Sequence, residues 1–321
     1  MKENLNPVTG RVTLRHLRVL AAVVRTGTQS AAAEALAVTP PAVALQLRQL
    51  EETLQVALIE RTPAGLRATE AGREVLATAD RIEGALLDCG LAIEALRGMD
   101  GGRVAVGVIS TAKYFAPRAL AAYNRTHPKV EMRVLIGNRQ ETIAALESFD
   151  LDLALMGRPP ETFAVEQAVV GENPHVVIAA PDHPLVGRPG LPLAALAGER
   201  FLLRESGSGT RTLLERLLAE ARLNPSAGIE MGSNETIKQA VMAGMGVALL
   251  SAHTIAAEAR DGRLAVLDVE GLPIVRQWFV VRRREKRLLP AALALWDYLA
   301  VSGGEFLPDV TGFVRLRRAA A

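Results

Sequence analysis

The side chains best placed for polar recognition lie near the N-terminus of this 321-residue chain: Gln29, Ser30, Thr39, Gln46 and Arg48. Arg61 and Arg67 follow on either side of a turn, Pro63-Ala64-Gly65. Hydroxyls and amides can bond a base edge or a phosphate, and a guanidinium is a planar fork suited to phosphate or guanine. Pro40, Pro41, Ala44 and Leu45 stand among them and can offer only apolar contact, for instance to a thymine methyl, unless they simply shape and pack their helix. Residues 1–67 hold eight basic and five acidic side chains, a mild positive bias compatible with phosphate contact. As ordinary solvated charges Arg61 and Arg67 would need no partner.

Catalytic chemistry finds no comparable grouping. The five histidines (His16, His127, His175, His183, His253) are scattered, without metal-ligand spacing or a nucleophile motif. Gly207-Ser208-Gly209 lacks the flanks of a nucleophile elbow. Gly244-Met245-Gly246 follows a helical pattern and precedes a strand pattern, the reverse of a dinucleotide fingerprint. No enzyme, resident cofactor or metal is expected. Cys89 is the one cysteine, so it has no internal disulfide partner and no thiolate neighbours for zinc. No apolar run reaches spanning length and the N-terminus carries no signal-type core, which points to a reducing, cytoplasmic compartment.

The elements that must position the N-terminal residues read as a winged helix-turn-helix over residues 13–69. Leu14, Leu17, Leu20, Ala21 and Val24 recur at helical spacing after a Thr13 cap, and Gly27 ends the helix. A short alanine-rich helix spans Ser30 to Leu36, with Ser30 as its cap. Ala37-Val38-Thr39 turns the chain into a third helix whose first turn takes Pro40 and Pro41, where a missing N–H costs little. Val43, Leu47, Leu50 and Leu54 form its buried stripe. Leu58 to Thr69 reads as a small hairpin. Thr69 then caps a long helix over residues 70–98, where Val75, Ala79, Ile82, Leu86, Cys89 and Ile93 keep the four-three spacing of a coiled-coil seam. A helix lying on a domain surface is the alternative. Met99-Asp100-Gly101-Gly102 marks a boundary, the first ten residues read as a disordered arm, and Arg315 to Ala319 reads as a basic tail.

Hydrophobic content of 49% with only 4% aromatics suits helices and parallel strands, and the length allows two or three units. Strand and helix patterns alternate over residues 102–308, implying βαβ units and a mainly parallel sheet. Two α/β lobes are expected, one of about 102–158 with 269–308 and one of about 161–267, crossed near Gly157–Pro160 and Leu267–Pro273. Loops at strand ends carry Ser110, Thr111, Ala112 and Lys113, then Asn138 and Arg139, then Arg204, Glu205, Ser206 and Gly207. Such loops bind ligands in α/β folds, and helix N-termini there favour anions. With Arg158 and Lys113 nearby, the expected ligand is a small acidic metabolite, although ion pairs with neighbouring acids would also satisfy these cations.

Ala31-Ala32-Ala33-Glu34-Ala35-Leu36, Val38-Thr39-Pro40-Pro41-Ala42-Val43, Leu50-Glu51, Glu60-Arg61, Leu66 and Thr69-Glu70-Ala71-Gly72 together resemble the LysR-type transcriptional regulators, across essentially the whole chain. That resemblance implies a homodimer or homotetramer joined through the long helix, a periplasmic-binding-protein-like effector domain, promoter DNA read by the helix from Pro40, and RNA polymerase as a partner. The family pattern has Gln, Ser and Arg where Pro40, Ala44 and Leu45 stand here. Ala112-Lys113-Tyr114-Phe115-Ala116-Pro117, Gly137-Asn138-Arg139, Met156-Gly157-Arg158-Pro159-Pro160 and Arg284-Glu285-Lys286-Arg287-Leu288-Leu289-Pro290 are similar to the CbbR subfamily, which controls Calvin-cycle carbon-fixation operons. The effector implied is a sugar phosphate, phosphoenolpyruvate or NADPH. Control of another metabolic operon, or solute binding without a DNA role, are the alternatives.

Overall fold

Thr13 opens helix α1 (Leu14–Thr26) by accepting from the His16 amide, and His16 Nδ1 accepts in return from the Thr13 amide. In this computed structural model, residues 11–63, 65–96, 101–223 and 226–314 are described; the expected N-terminal arm, the basic tail and Met99-Asp100 lie outside them. Gly27 ends α1 in the left-handed conformation, and its carbonyl accepts from the Leu66 amide at 2.8 Å. Helix α2 (Gln29–Ala35) is capped by Thr28, not by Ser30, because Thr28 supplies the hydroxyl to the Ala31 amide. Helix α3 (Pro40–Leu54) starts at Thr39 as expected, but the Thr39 hydroxyl makes no capping bond.

The buried face of α1 is wider than a single stripe. His16, Val19, Ala22 and Val23 are buried beside Leu17 and Leu20, because α1 packs against both other helices and the wing. Strands β1 (Ile59–Thr62) and β2 (Gly65–Ala68) form the expected antiparallel hairpin. Helix α4 (Glu70–Leu96) begins where Thr69 accepts from the Gly72 amide and donates to the Ala57 carbonyl at 2.8 Å. Glu51 accepts from the Leu58 amide at 2.8 Å, tying α3 to the wing. By contacts the chain divides into two units, Met1–Gly90 and Leu91–Ala321, and the start of α4 packs with the first core.

The second unit begins with β3 (Gly102–Ile109), α5 (Ala116–Thr126), β4 (Val130–Gly137), α6 (Arg139–Glu147) and β5 (Leu153–Met156). It continues through β6 (Val165–Ala179), β7 (Arg200–Arg204), α7 (Gly209–Glu220), β8 (Ser226–Met231), α8 (Asn234–Met242) and β9 (Ala248–Ser251). Helix α9 (Ala256–Arg260), β10 (Ala265–Val266), β11 (Ile274–Arg283) and α10 (Pro290–Ser302) complete it. Strands β4, β3 and β5 are parallel neighbours, and so are β7 and β8. The main sheet is nonetheless mixed, ordered β10-β6-β11-β5-β3-β4 with β9 also on β6, and every pairing made by β6 or β11 is antiparallel.

That antiparallel ladder relocates the crossing between lobes. Val170 and Trp278 belong to the first lobe's core, with Phe115, Leu155 and Leu295. Val176 and Ile178 join one second-lobe cluster and Val177 and Ala179 another, as alternating faces of one strand must. The chain therefore changes lobe within β6 and β11, not in the coils at Gly157–Pro160 and Leu267–Pro273. Pro174 and the polar run Gly171-Glu172-Asn173 conceal this strand in the sequence.

A Cβ on Gly72 would stand 2.0 Å from the Leu58 carbonyl oxygen, a backbone atom that cannot swing aside. Gly72→Ala is expected to destabilise the first unit by roughly 1–3 kcal/mol through overpacking, outweighing the ~1 kcal/mol helix preference of alanine. A thermal melt showing equal or higher stability would contradict this packing.

Candidate functional site

Two groups of side chains stand out, one in each unit. In the first, α3 hides Val43, Leu47 and Leu50 at 2% exposure or less, which turns Pro40, Pro41, Leu45 and Arg48 outward. Leu45 is 51% exposed, an apolar residue that nothing in its own unit covers. Ala44 is half-buried. Gln46 donates to Gln49 at 3.2 Å, so its amide is already engaged along the helix surface. Arg48, Arg61 and Arg67 are exposed, and no hydrogen bond or ion pair holds their guanidiniums among the described residues. They remain available to phosphate. Gln29 is half-buried and Ser30 exposed at the start of α2.

The residues expected to form a seam on α4 separate into two groups. Val75 packs on the tri-helical core and Ala79 is buried, so these two serve the chain's own first unit. Ile82 is half-buried, whereas Leu86 at 50%, Ile93 at 47% and Cys89 are exposed.

In the second unit a cavity of about 30 Å³ opens where β6 changes partner. His175 is the last β6 residue paired with β11 and the first paired with β9. Ser110, Thr111, Asn138, Arg139, Arg158 and Arg204 line the cavity. The N-terminal turn of α7 contributes Ser208, Gly209 and Thr210, and the crossing strands contribute Asn173, His175 and Arg276. These last residues were missed because they sit on the antiparallel strands that the sequence disguised. Arg276 offers the nearest signal, a charge inside the apolar run Ile274-Val275…Trp278.

Several expected residues lie elsewhere. Ala112 is fully buried in the first-lobe core, and Lys113 stacks 5.3 Å from the Tyr114 ring centroid. Ser206 is exposed, and Gly207 adopts a left-handed turn beside Asn138 and Gln140. Glu205 does not line the cavity; it neutralises Arg204 through bonds of 2.6 and 2.7 Å. Arg204 is 2% exposed and also donates to Asn234 and, at 2.9 Å, to Ser110 Oγ. Its charge is thus spent inside the protein, and with Asn234 donating to the Ser110 carbonyl it bridges the two lobes.

The other three guanidiniums are differently placed. Burial, then the charge of Arg158, holds the Arg139 pKa below the ordinary arginine value, with Glu161 opposing. Burial, then Arg158, Arg216 and Arg139, does the same to Arg276. Arg139 donates to the carbonyls of Arg158 and Pro159, and Arg158 pairs with Glu161 at 2.7 Å. No hydrogen bond or ion pair holds the Arg276 guanidinium among the described residues. Mutually repelling cations at the N-termini of α6 and α7 form a site that an anion would relieve. Asn138 spends its Oδ1 on the Glu141 amide as the expected capping box, while the Ser208 hydroxyl makes no cap bond.

Comparison with known proteins agrees with this organisation. Residues 14–73 match the family model "Bacterial regulatory helix-turn-helix protein, lysR family", and residues 97–302 match "LysR substrate binding domain". The chain belongs to the LysR family of transcriptional regulators. The "HTH-type transcriptional regulator CbbR" of Xanthobacter flavus is 51% identical over 302 residues, covering 94% of this chain and 91% of that protein. The "RuBisCO operon transcriptional regulator" of Allochromatium vinosum is 43% identical over 288 residues, covering 90% and 95%. The regulatory domain of Synechocystis PCC6803 CcmR, solved in complex with 2-PG, is 37% identical with a TM-score of 0.60, covering 62% of this chain and 96% of that one.

Burial pushes the His175 imidazole down to about 3, helped by the charge of Arg276, and burial pushes His253 down to about 4. Both are neutral when folded at neutral pH, and His253 Nδ1 accepts from Trp278 Nε1 at 3.0 Å. Their folded values lie below the unfolded one, so the unfolded chain takes protons first and stability falls as pH falls below about 6.5. Melting between pH 7.5 and 5.5, above the carboxylate range, should show a loss on the order of 2 kcal/mol for the pair. A flat profile there would contradict buried neutral imidazoles.

Proposed function

We propose that this chain regulates carbon-fixation genes in response to a phosphorylated metabolite held between the effector lobes. The observation that carries the reading is the group of Arg139, Arg158 and Arg276 converging with Ser110, Thr111 and two helix N-termini on one cleft. The names of the relatives support carbon fixation as the target, and 2-PG in the CcmR domain supports a small phosphorylated carboxylate as the ligand class. Phosphoenolpyruvate and sugar phosphates share that chemistry; NADPH is larger. A cavity of about 30 Å³ holds only a water or two, so binding requires the lobes to part at the Arg204–Ser110 bridge. Ligand binding then shifts a population of lobe arrangements, and through it the bending of bound DNA.

Promoter DNA is bound through α3, with Thr39, Pro40, Pro41, Ala44, Leu45, Gln46 and Arg48 facing the major groove and the wing arginines Arg61 and Arg67 on the backbone. Gln29 and Ser30 add contacts at the start of α2. The apolar part of this face reads thymine methyls and DNA shape more than hydrogen-bonding edges. Assembly as a homodimer or homotetramer covers Ile82, Leu86, Cys89 and Ile93. Activation through RNA polymerase at a cytoplasmic promoter completes the role.

Arg48→Ala should weaken binding to a carbon-fixation promoter about tenfold and reduce the magnitude of the salt slope by about 1. Unchanged mobility-shift titrations across salt would remove Arg48 from the interface. Leu86→Glu combined with Ile93→Glu should give a monomer by light scattering and abolish promoter retention; a variant that stays oligomeric would refute the seam.

A further inference from the structure

Tyr114 belongs to the run Ala112–Pro117 that stands out in the sequence, yet it does not line the cleft. Its neighbours Ala112 and Phe115 lie in the first-lobe core, so the ring rides on that lobe. It ends the same loop that carries Ser110 and Thr111 into the cleft. The N-terminal turn of α8 meets it, anchored in the second lobe by Ile237 and Val241. Lys238 Nζ sits 4.8 Å from the Tyr114 ring centroid, and the Tyr114 hydroxyl donates to Glu235 at 3.4 Å. The turn Ala112–Tyr114 also packs on the second-lobe turn Ala252–Thr254.

Lys238 is 2% exposed and pairs with Glu235 at 2.9 Å and Glu258 at 3.0 Å. Burial works against its charge, but the two carboxylates outweigh burial and raise its pKa, so it stays cationic. A desolvated ammonium over an aromatic face is the stronger form of a cation–π contact. Both carboxylates belong to the second lobe with Lys238, so this ammonium cannot follow the ring when the lobes part. Lys113, 5.3 Å from the same ring centroid, precedes Tyr114 in its own turn and moves with it. Only the Lys238 contact couples the ring to the other lobe's charge.

The residue beside Glu235 completes the grip. Asn234 donates to the Ser110 carbonyl and accepts from Arg204, which itself donates to Ser110 Oγ at 2.9 Å. The second lobe therefore holds loop 110–114 at both ends, Ser110 through Arg204 and Asn234, and Tyr114 through Lys238 and Glu235. Ser110 and Arg204 line the cleft, where a ligand can replace the bond they lose. Tyr114, Lys238 and Glu235 do not line it, so a ligand there compensates nothing when their contact breaks.

We infer that the Tyr114–Lys238 contact is a clasp that holds the ligand-free lobes together and thereby sets effector affinity, with Tyr114 and Lys238 as positioning residues. The inference rests on the effector reading above, in which the lobes part to admit a phosphorylated carboxylate. A ligand that takes only the parted arrangement binds in proportion to the fraction of chains already parted. Weakening the clasp raises that fraction, so a change outside the cleft tightens binding. General damage to the unit would weaken it.

Calorimetric titration of the full chain with 2-phosphoglycolate tests this in two variants. Tyr114→Leu keeps apolar bulk without an aromatic face, and Tyr114→Phe keeps the ring. Lys238 is left in place, because removing it would strand Glu258 in the interior. Tyr114→Leu should bind about threefold or more tightly than the unaltered chain, and Tyr114→Phe should stay within about twofold of it. Should Tyr114→Leu fail to melt cooperatively, Tyr114→Met serves the same comparison. Unchanged or weaker binding without the ring, or equal tightening in Tyr114→Phe, would overturn the clasp and leave the effector reading standing. No binding in any of these chains, the unaltered one included, would overturn both.

Discussion

Strand β6 is bonded to β11 from Val165 to His175 and to β9 from His175 to Ile178, so one strand belongs to both lobes. The candidate cleft in the effector unit depends on that change of partner. It brings Asn173, His175 and Arg276 beside the ends of β3 and β4 and the N-terminus of α7. Asn173 accepts from Ser251 at 2.7 Å and its carbonyl bonds His175 Nδ1, which ties the crossing strand to β9 at the switch point. Side-chain bridges such as Arg204 to Ser110 join the lobes beside that pair of strands.

The electrostatic arrangement follows from the same geometry. Arg204, the cation most prominent in its loop, is neutralised by Glu205 and acts as a bridge. Arg276, inconspicuous in the sequence, is the one brought into the cation group without a partner. Local sequence shows which residues could carry charge. Only the fold shows which charges are already spent, because the neutralising group is adjacent for Arg204, while among the described residues no carboxylate pairs with Arg276.

The N-terminal unit was almost wholly legible: helix spacing, the prolines after Thr39 and the hairpin residues encode local structure within a few residues of one another. The Thr69–Gly72 motif and Leu50-Glu51 gain a physical meaning from the structure, since they lock α3, the wing and α4 to each other through Ala57 and Leu58. The effector unit was legible only where strands alternate with helices. Its long antiparallel strands failed to register because β6 contains Gly171 and Pro174 and because pairing partners such as Val165 and Arg283 lie far apart in sequence.

The central claim is that unpaired positive charge at the lobe crossing binds the regulatory anion. Calorimetric titration of the full chain with 2-phosphoglycolate at two salt concentrations tests it most directly. The account predicts saturable, salt-weakened binding that Arg276→Ala reduces at least tenfold without lowering the melting temperature of the free protein. Binding of equal strength in Arg276→Ala, at either salt concentration, would contradict it.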